Sequence, residues 1–95
     1  AEDEGDQQKA LELYEAALRA DPENPEANFR SGWLLDLRGL DAEAVERYRR
    51  VAGGSSLFVS ALINLGLLHD EAGSFDQSIA CFEQALVALA EELAR

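Results

Sequence analysis

Basic residues are scarce in this chain: eight Lys and Arg stand against 19 Asp and Glu, a formal charge of −11. Nucleic acid is therefore not an expected partner, because neutralising phosphates requires a basic face. A single cysteine, Cys81, excludes an intrachain disulfide and any CxxC metal or redox spacing, and leaves inert helix packing as its expected role. That is compatible with a reducing compartment, and the chain is expected to be cytoplasmic. Histidine also occurs once. His69, Asp70 and Glu71 are consecutive, so on a helix they point in different directions and do not form one ligand set. Gly53-Gly54-Ser55-Ser56 lacks the lysine and the preceding strand of a phosphate loop. No catalytic residue, cofactor or metal is expected, and the reading is of a non-enzyme. No apolar run approaches the roughly 18 residues of a membrane span, and no secretory leader pattern is present. Only two prolines occur, both in the turn from Asp21 to Pro25.

What is abundant is order of a repetitive kind. A small residue followed four positions later by an aromatic appears as Ala10 and Tyr14, Ala44 and Tyr48, and Ser78 and Phe82, each pair 34 residues after the last. Gly5, Gly39 and Gly73 keep the same interval, as do Gly32 and Gly66. Glycine inside a helix costs about 1 kcal/mol relative to alanine, so Gly32 and Gly66 imply a close approach between helices. Gly39 and Gly73 are placed to close one helix in a left-handed conformation before the next begins. Asn24-Pro25-Glu26 combines an N-cap, a proline at the first helical position and a carboxylate in the first turn. Ser74-x-x-Gln77 fits a capping box, and Ser55 or Ser56 is expected to cap the helix after the glycine pair. Together these signals predict five helices at roughly 6–20, 25–38, 41–52, 57–72 and 74–94, joined by short connections that favour antiparallel neighbours.

The chain resembles the tetratricopeptide repeat, whose pattern runs Trp-x-x-Leu-Gly-x-x-Tyr, then Ala-x-x-x-Phe, then Pro. One unit reads Asn28, Ser31, Gly32, Leu35, Ala44, Tyr48, and the next Leu62, Leu65, Gly66, His69, Ser78, Phe82. Before them only a second half is present, as Gly5, Ala10, Tyr14, Ala17 and Pro22. Asn28 and Ser31 depart from the large apolar residues usual there, and Ser56 and Ala90 replace the proline. His69 takes the place of a packing tyrosine and is expected in the core. The resemblance implies an all-α, right-handed α-solenoid of antiparallel helix pairs. It divides the chain into a half unit over 1–24, a full unit over 25–58 and a full unit over 59–95 with an extended last helix. Starting at Ala1 without methionine, the chain is expected to be a piece of a longer protein.

In this family the concave groove is lined by the first helix of each unit, which implies a protein or peptide partner. On one helix the groove stripe would include Glu26, Phe29, Arg30, Trp33, Asp36 and Leu37, and on the other Ser60, Ile63, Asn64, Leu67 and Asp70, each set at helical spacing. Trp33, the only tryptophan, is the expected anchor, unless it and Phe29 cover a neighbouring helix. Asp36, Asp70 and Glu71 would repel a terminal carboxylate, so an apolar segment carrying a lysine or arginine is the expected ligand, with Asn64 on its backbone amides. The bland alternative for the charge is a solvated acidic surface. Residues 1–24 carry −6, 25–58 zero and 59–95 −5. The cluster Arg47, Arg49 and Arg50 sits where cations suit a helix C-terminus. A second class of function is structural. Leu86, Leu89 and Leu93 form an apolar stripe that either folds back on the fourth helix or stays open for self-association in a homo-oligomer or for the rest of a larger protein.

Overall fold

The computed structural model describes residues 2–95 and contains five α-helices: α1 (Glu2–Ala20), α2 (Pro25–Leu37), α3 (Asp41–Arg49), α4 (Phe58–Glu71) and α5 (Phe75–Leu93). No strand is present among the described residues. Each helix packs chiefly on the one before and the one after it, the signature of a solenoid rather than a closed bundle. Two helix pairs, α2–α3 and α4–α5, follow the lone α1.

The punctuation of these helices has identifiable causes. Asn24 caps α2 by accepting the Ala27 backbone N–H at 2.9 Å, with Pro25 immediately inside the helix. Gly39 and Gly73 adopt φ of 75° and 78°, which a side chain would disfavour. They let the chain reverse after α2 and α4: the Leu40 N–H donates to the Leu35 carbonyl at 3.0 Å, and the Ser74 N–H to the His69 carbonyl at 2.8 Å. Two expected caps do not form. The Ser74 side chain makes no capping bond, so the capping box with Gln77 is absent, and Gln77 instead lines a cleft beside α3. Ser55 accepts the Leu57 N–H at 3.1 Å, closing a turn ahead of α4 rather than capping the helix itself.

Two boundaries also differ from expectation. Helix α1 runs through Gly5 and begins about one turn earlier, since Glu4 and Asp6 lie where carboxylates favour a helix N-terminus. Helix α3 stops at Arg49, and Val51 turns inward to be buried in the bend before Gly53.

The core lies between α2, α3 and α4, where Leu35, Ala44, Tyr48, Val51, Ala61, Leu65 and Leu68 form one buried cluster. Helical glycines let the pairs close on it. A Cβ on Gly32 would lie 3.0 Å from Tyr48 Cε1, and one on Gly66 would lie 2.7 Å from Phe82 Cε1. The aromatic of the second helix thus sits on the glycine of the first in both pairs. Where α1 joins, the interior is polar. Asn28 and Ser31 are fully buried, Asn28 donates to the Pro22 carbonyl at 3.1 Å, and its Oδ1 is buried without a hydrogen-bond partner. Arg47 ties three helices there. Its guanidinium pairs with Glu15 of α1 at 2.6 and 2.9 Å and donates to Ser31 Oγ of α2 at 3.2 Å.

Candidate peptide-binding groove

Helices α2 and α4 both reach Tyr48 of α3. The Phe29 ring lies 5.8 Å from that of Tyr48, and the Tyr48 hydroxyl accepts a hydrogen bond from Asn64 Nδ2 at 3.3 Å. One buried tyrosine from α3 therefore forms the floor joining α2 to α4. Burial pushes its phenol up to about 12, with Asn64 opposing and Asp36 adding to the shift. Asn64 uses one of its two amide hydrogens on this bond, and its side chain also carries a carbonyl acceptor.

The sequence-predicted residues fall into three places rather than one continuous strip. Trp33 and Arg30 line a hollow of about 230 Å³ between α1 and α2, shared with Ala10, Tyr14, Glu26 and Leu34. Trp33 is 46% exposed there, so part of the indole rests on the protein and part is open. Arg30 also lies with its guanidinium carbon 5.9 Å from the centre of the Phe29 ring, while Phe29 itself is half-buried against the core. In the middle, Phe29, Tyr48 and Asn64 make the floor, with Asp36 half-buried nearby and Leu67 and Asp70 exposed on α4. Ile63 faces a third place. It shares an apolar hollow with Phe82, Leu86 and Leu89 of α5, at the end of the solenoid. Leu93 is exposed one turn beyond Leu89 on the same helix.

The groove is electrostatically negative at one point. Burial is the first cause that raises Asp36 above the ordinary aspartate range, and the charges of Asp41 and Glu71 add to it. Of these two neighbours, the sequence names Glu71 as a groove charge and leaves Asp41 out. Glu71 was legible, since it stands one repeat after Leu37 at the edge of the same stripe. Asp41 was not, since only the Gly39 turn brings the start of α3 beside the end of α2. Tyr48 was also read solely as a packing residue, although the equivalence with Phe82 draws attention to its extra hydroxyl.

The opposite surface offers less. A cleft of about 340 Å³ lies between α3, α4 and α5, lined in part by Arg49, Leu62, His69, Gln77 and Cys81. It is open because Leu62 and His69 stand where the family pattern has tryptophan and tyrosine. His69 is buried there, in keeping with a core role. Burial raises the Cys81 thiol, partly opposed by Arg49, which keeps it protonated and unreactive near neutrality. Among the described residues no group of three or more His, Cys, Asp or Glu is placed to hold a metal ion. None of the described helices is long and apolar enough to cross a membrane.

Stacked antiparallel helix pairs with glycine-aromatic contacts define an α-solenoid repeat. Tetratricopeptide repeat models match residues 1–57 and 59–86, and the chain belongs to the tetratricopeptide repeat family. It is 31% identical over 90 residues to the probable UDP-N-acetylglucosamine–peptide N-acetylglucosaminyltransferase SPINDLY of Hordeum vulgare, a match covering 87% of this chain and 10% of that protein. In three dimensions it is similar to the crystal structure of MamA, with a TM-score of 0.87 and 21% identity over 95% of this chain and 53% of that one. The chain therefore spans about a tenth of the one and half of the other. As a member of this family it is a protein-interaction module in general character.

Proposed function

We propose that the chain is a non-catalytic scaffold that binds an extended or helical peptide segment of a partner protein along α2 and α4. The observation that carries this reading is the exposure of large apolar groups, Trp33, Leu37, Ile63 and Leu67, beside a carboxylate cluster at Asp36, Asp41 and Glu71. Apolar side chains left open in this way are the raw material of a binding surface. Asp36, held near two other acids, gains from a cation that enters between them. The expected ligand is thus an apolar segment carrying a lysine or arginine. Trp33 and Arg30 contact one end, Phe29 and Asn64 the middle, and Leu67 and Asp70 the other. The name of the barley relative describes sugar transfer to peptide, which is consistent with repeats that hold a polypeptide.

Selection from a random peptide library tests this directly. The expected result is enrichment of sequences combining aromatic or aliphatic residues with Lys or Arg, with binding weakened about tenfold by Trp33→Ala, as loss of ~1.4 kcal/mol requires. Enrichment of acidic sequences, or binding indifferent to Trp33, would refute it.

A second reading is structural, and one observation favours it: Leu86, Leu89 and Leu93 remain exposed on α5 instead of folding back on α4. In that reading the end face is covered by another protein surface, either a second copy or the rest of a larger assembly. Sedimentation over a concentration series distinguishes self-association from a face left for other partners.

A further inference from the structure

Counting 34 residues along the chain sets the junction of α1 with α3 beside the junction of α3 with α5. Glu15 of α1 corresponds to Arg49 of α3, and Arg47 of α3 to Cys81 of α5. At the first junction a carboxylate meets a guanidinium: Glu15 pairs with Arg47 at 2.6 and 2.9 Å, and Arg47 also donates to Ser31 Oγ. At the second junction the carboxylate has become a cation, the long arginine has become a cysteine, and Ser31 has become Leu65. Nothing among the described residues takes the place of that ion pair. What is found there instead is the cleft of about 340 Å³ between α3, α4 and α5, a size at which proteins hold small ligands.

The lining has two kinds of chemistry. Val51, Ala61, Leu62 and Leu65 give it a buried apolar wall. His69 also lines it, is only 9% exposed, and its ring makes no hydrogen bond to any described residue. A neutral imidazole always has one N–H to donate. Arg49 stands exposed at the edge, with no ion pair among the described residues, and its charge reaches the Cys81 thiol. No Asp or Glu lines the cleft, although acids outnumber bases 19 to 8 in the chain. Gln77, Cys81 and Gln84, which line it from α5, lie on a different face of that helix from Phe82, Leu86 and Leu89. A helix stacked on the apolar end hollow would therefore meet the other set of residues.

We propose that the cleft between α3, α4 and α5 binds a small monocarboxylate with an apolar body, with Arg49 as its counter-ion and the His69 ring as a hydrogen-bond donor. The ligand's carboxylate restores, in the space left by Cys81, the ion pair that Glu15 and Arg47 make one unit earlier. Its apolar body lies on Val51, Leu62 and Leu65. The site is independent of the peptide groove on α2 and α4, so each can fail without the other.

The probe is octanoate, titrated into the intact 95-residue chain and followed by chemical shift. The expected result is saturable movement of the His69 ring and of the Gln77 and Gln84 side-chain amides. Affinity should fall at least about tenfold with Arg49→Gln, equivalent to ~1.4 kcal/mol. Both variants at the neighbouring arginines alter exposed side chains, and Arg50→Gln, outside the cleft lining, should stay within about twofold of the parent. 1-Octanol has the same chain without the charge and should bind at least about tenfold more weakly. Leu62→Trp puts the repeat pattern's large residue into the cleft and should abolish binding with the helical circular dichroism unchanged. Absence of saturable binding, equal binding of 1-octanol, an equal loss in Arg49→Gln and Arg50→Gln, or an unmoved His69 ring would overturn the proposal. So would Arg49-dependent binding of a terminally blocked peptide carrying one glutamate with no binding of octanoate, because that places the carboxylate on a protein.

Discussion

Helix pairs α2–α3 and α4–α5 share the same pattern of glycine, small residue and aromatic, yet differ in what surrounds the aromatic. Tyr48 is sealed by Gly32 below and by α4 above, whereas Phe82 rests on Gly66 and is half open. The inner halves differ too. The first pair meets its predecessor through buried Asn28 and Ser31 and the Arg47–Glu15 pair, and the second through Leu62 and Leu65. In a solenoid the burial of a residue is therefore a property of its neighbour in the stack as much as of its own unit. The equivalent position is core in the middle and half open at the end.

The largest effect should come from removing the two aromatics. Tyr48→Ala should cost about 4 kcal/mol in urea unfolding, within the range for fully buried aromatics, and Phe82→Ala only about 2. Equal losses would break the comparison. Next in size is a methyl group on the helical glycines. Gly66→Ala forces a Cβ against the Phe82 ring and should cost about 1–2 kcal/mol, since overpacking exceeds the gain of helix propensity. Gly32→Ala, with looser contacts of 3.0–3.3 Å to Tyr48 and Arg47, should be nearer neutral. Arg47→Met should cost about 1–2 kcal/mol, because it leaves Glu15 without its cation and Ser31 with only its bond to the Asn28 carbonyl. The loss should appear in thermal melts and shrink when Glu15→Gln is already present.

The smallest expected effect is a dependence on pH. Asp36 has a folded-state pKa raised above 3.8, so the native state holds the proton more tightly than the unfolded chain does. Stability from this group is present at low pH and is lost as pH rises through the raised value. Asp36→Asn should therefore stabilise the protein at neutral pH and flatten that decline. Comparison of urea midpoints at pH 4 and pH 7 checks the sign.

Much of the architecture was legible because it rests on local chemistry repeated at a fixed interval. Gly39 and Gly73 announce left-handed turns, Asn24-Pro25 announces a helix start, and Gly32 and Gly66 announce contact with an aromatic. The failures were of another kind. Ser74 and Gln77 satisfy a capping pattern, but Ser74 makes no capping bond and Gln77 lines the cleft beside α3. Arg47 reads as a helix-end cation until Glu15, 32 residues earlier, is brought beside it as α1 and α3 both pack on α2. The groove stripe was drawn from helical spacing, which cannot reveal that Trp33 shares a hollow with Tyr14 or that Ile63 belongs partly to the end face. Such groupings depend on which helices lie alongside, a property of the stack and not of one face.

Chemical-shift mapping tests the central claim most directly. Isotope-labelled protein is titrated with a library-selected peptide carrying an apolar segment and a lysine or arginine. The account predicts that the Trp33 indole and the Asn64 side-chain amide move together with backbone signals of α2 and α4. Shifts confined to Gln77, Cys81 and Gln84 on the opposite face, with Trp33 and Asn64 unmoved, would contradict it.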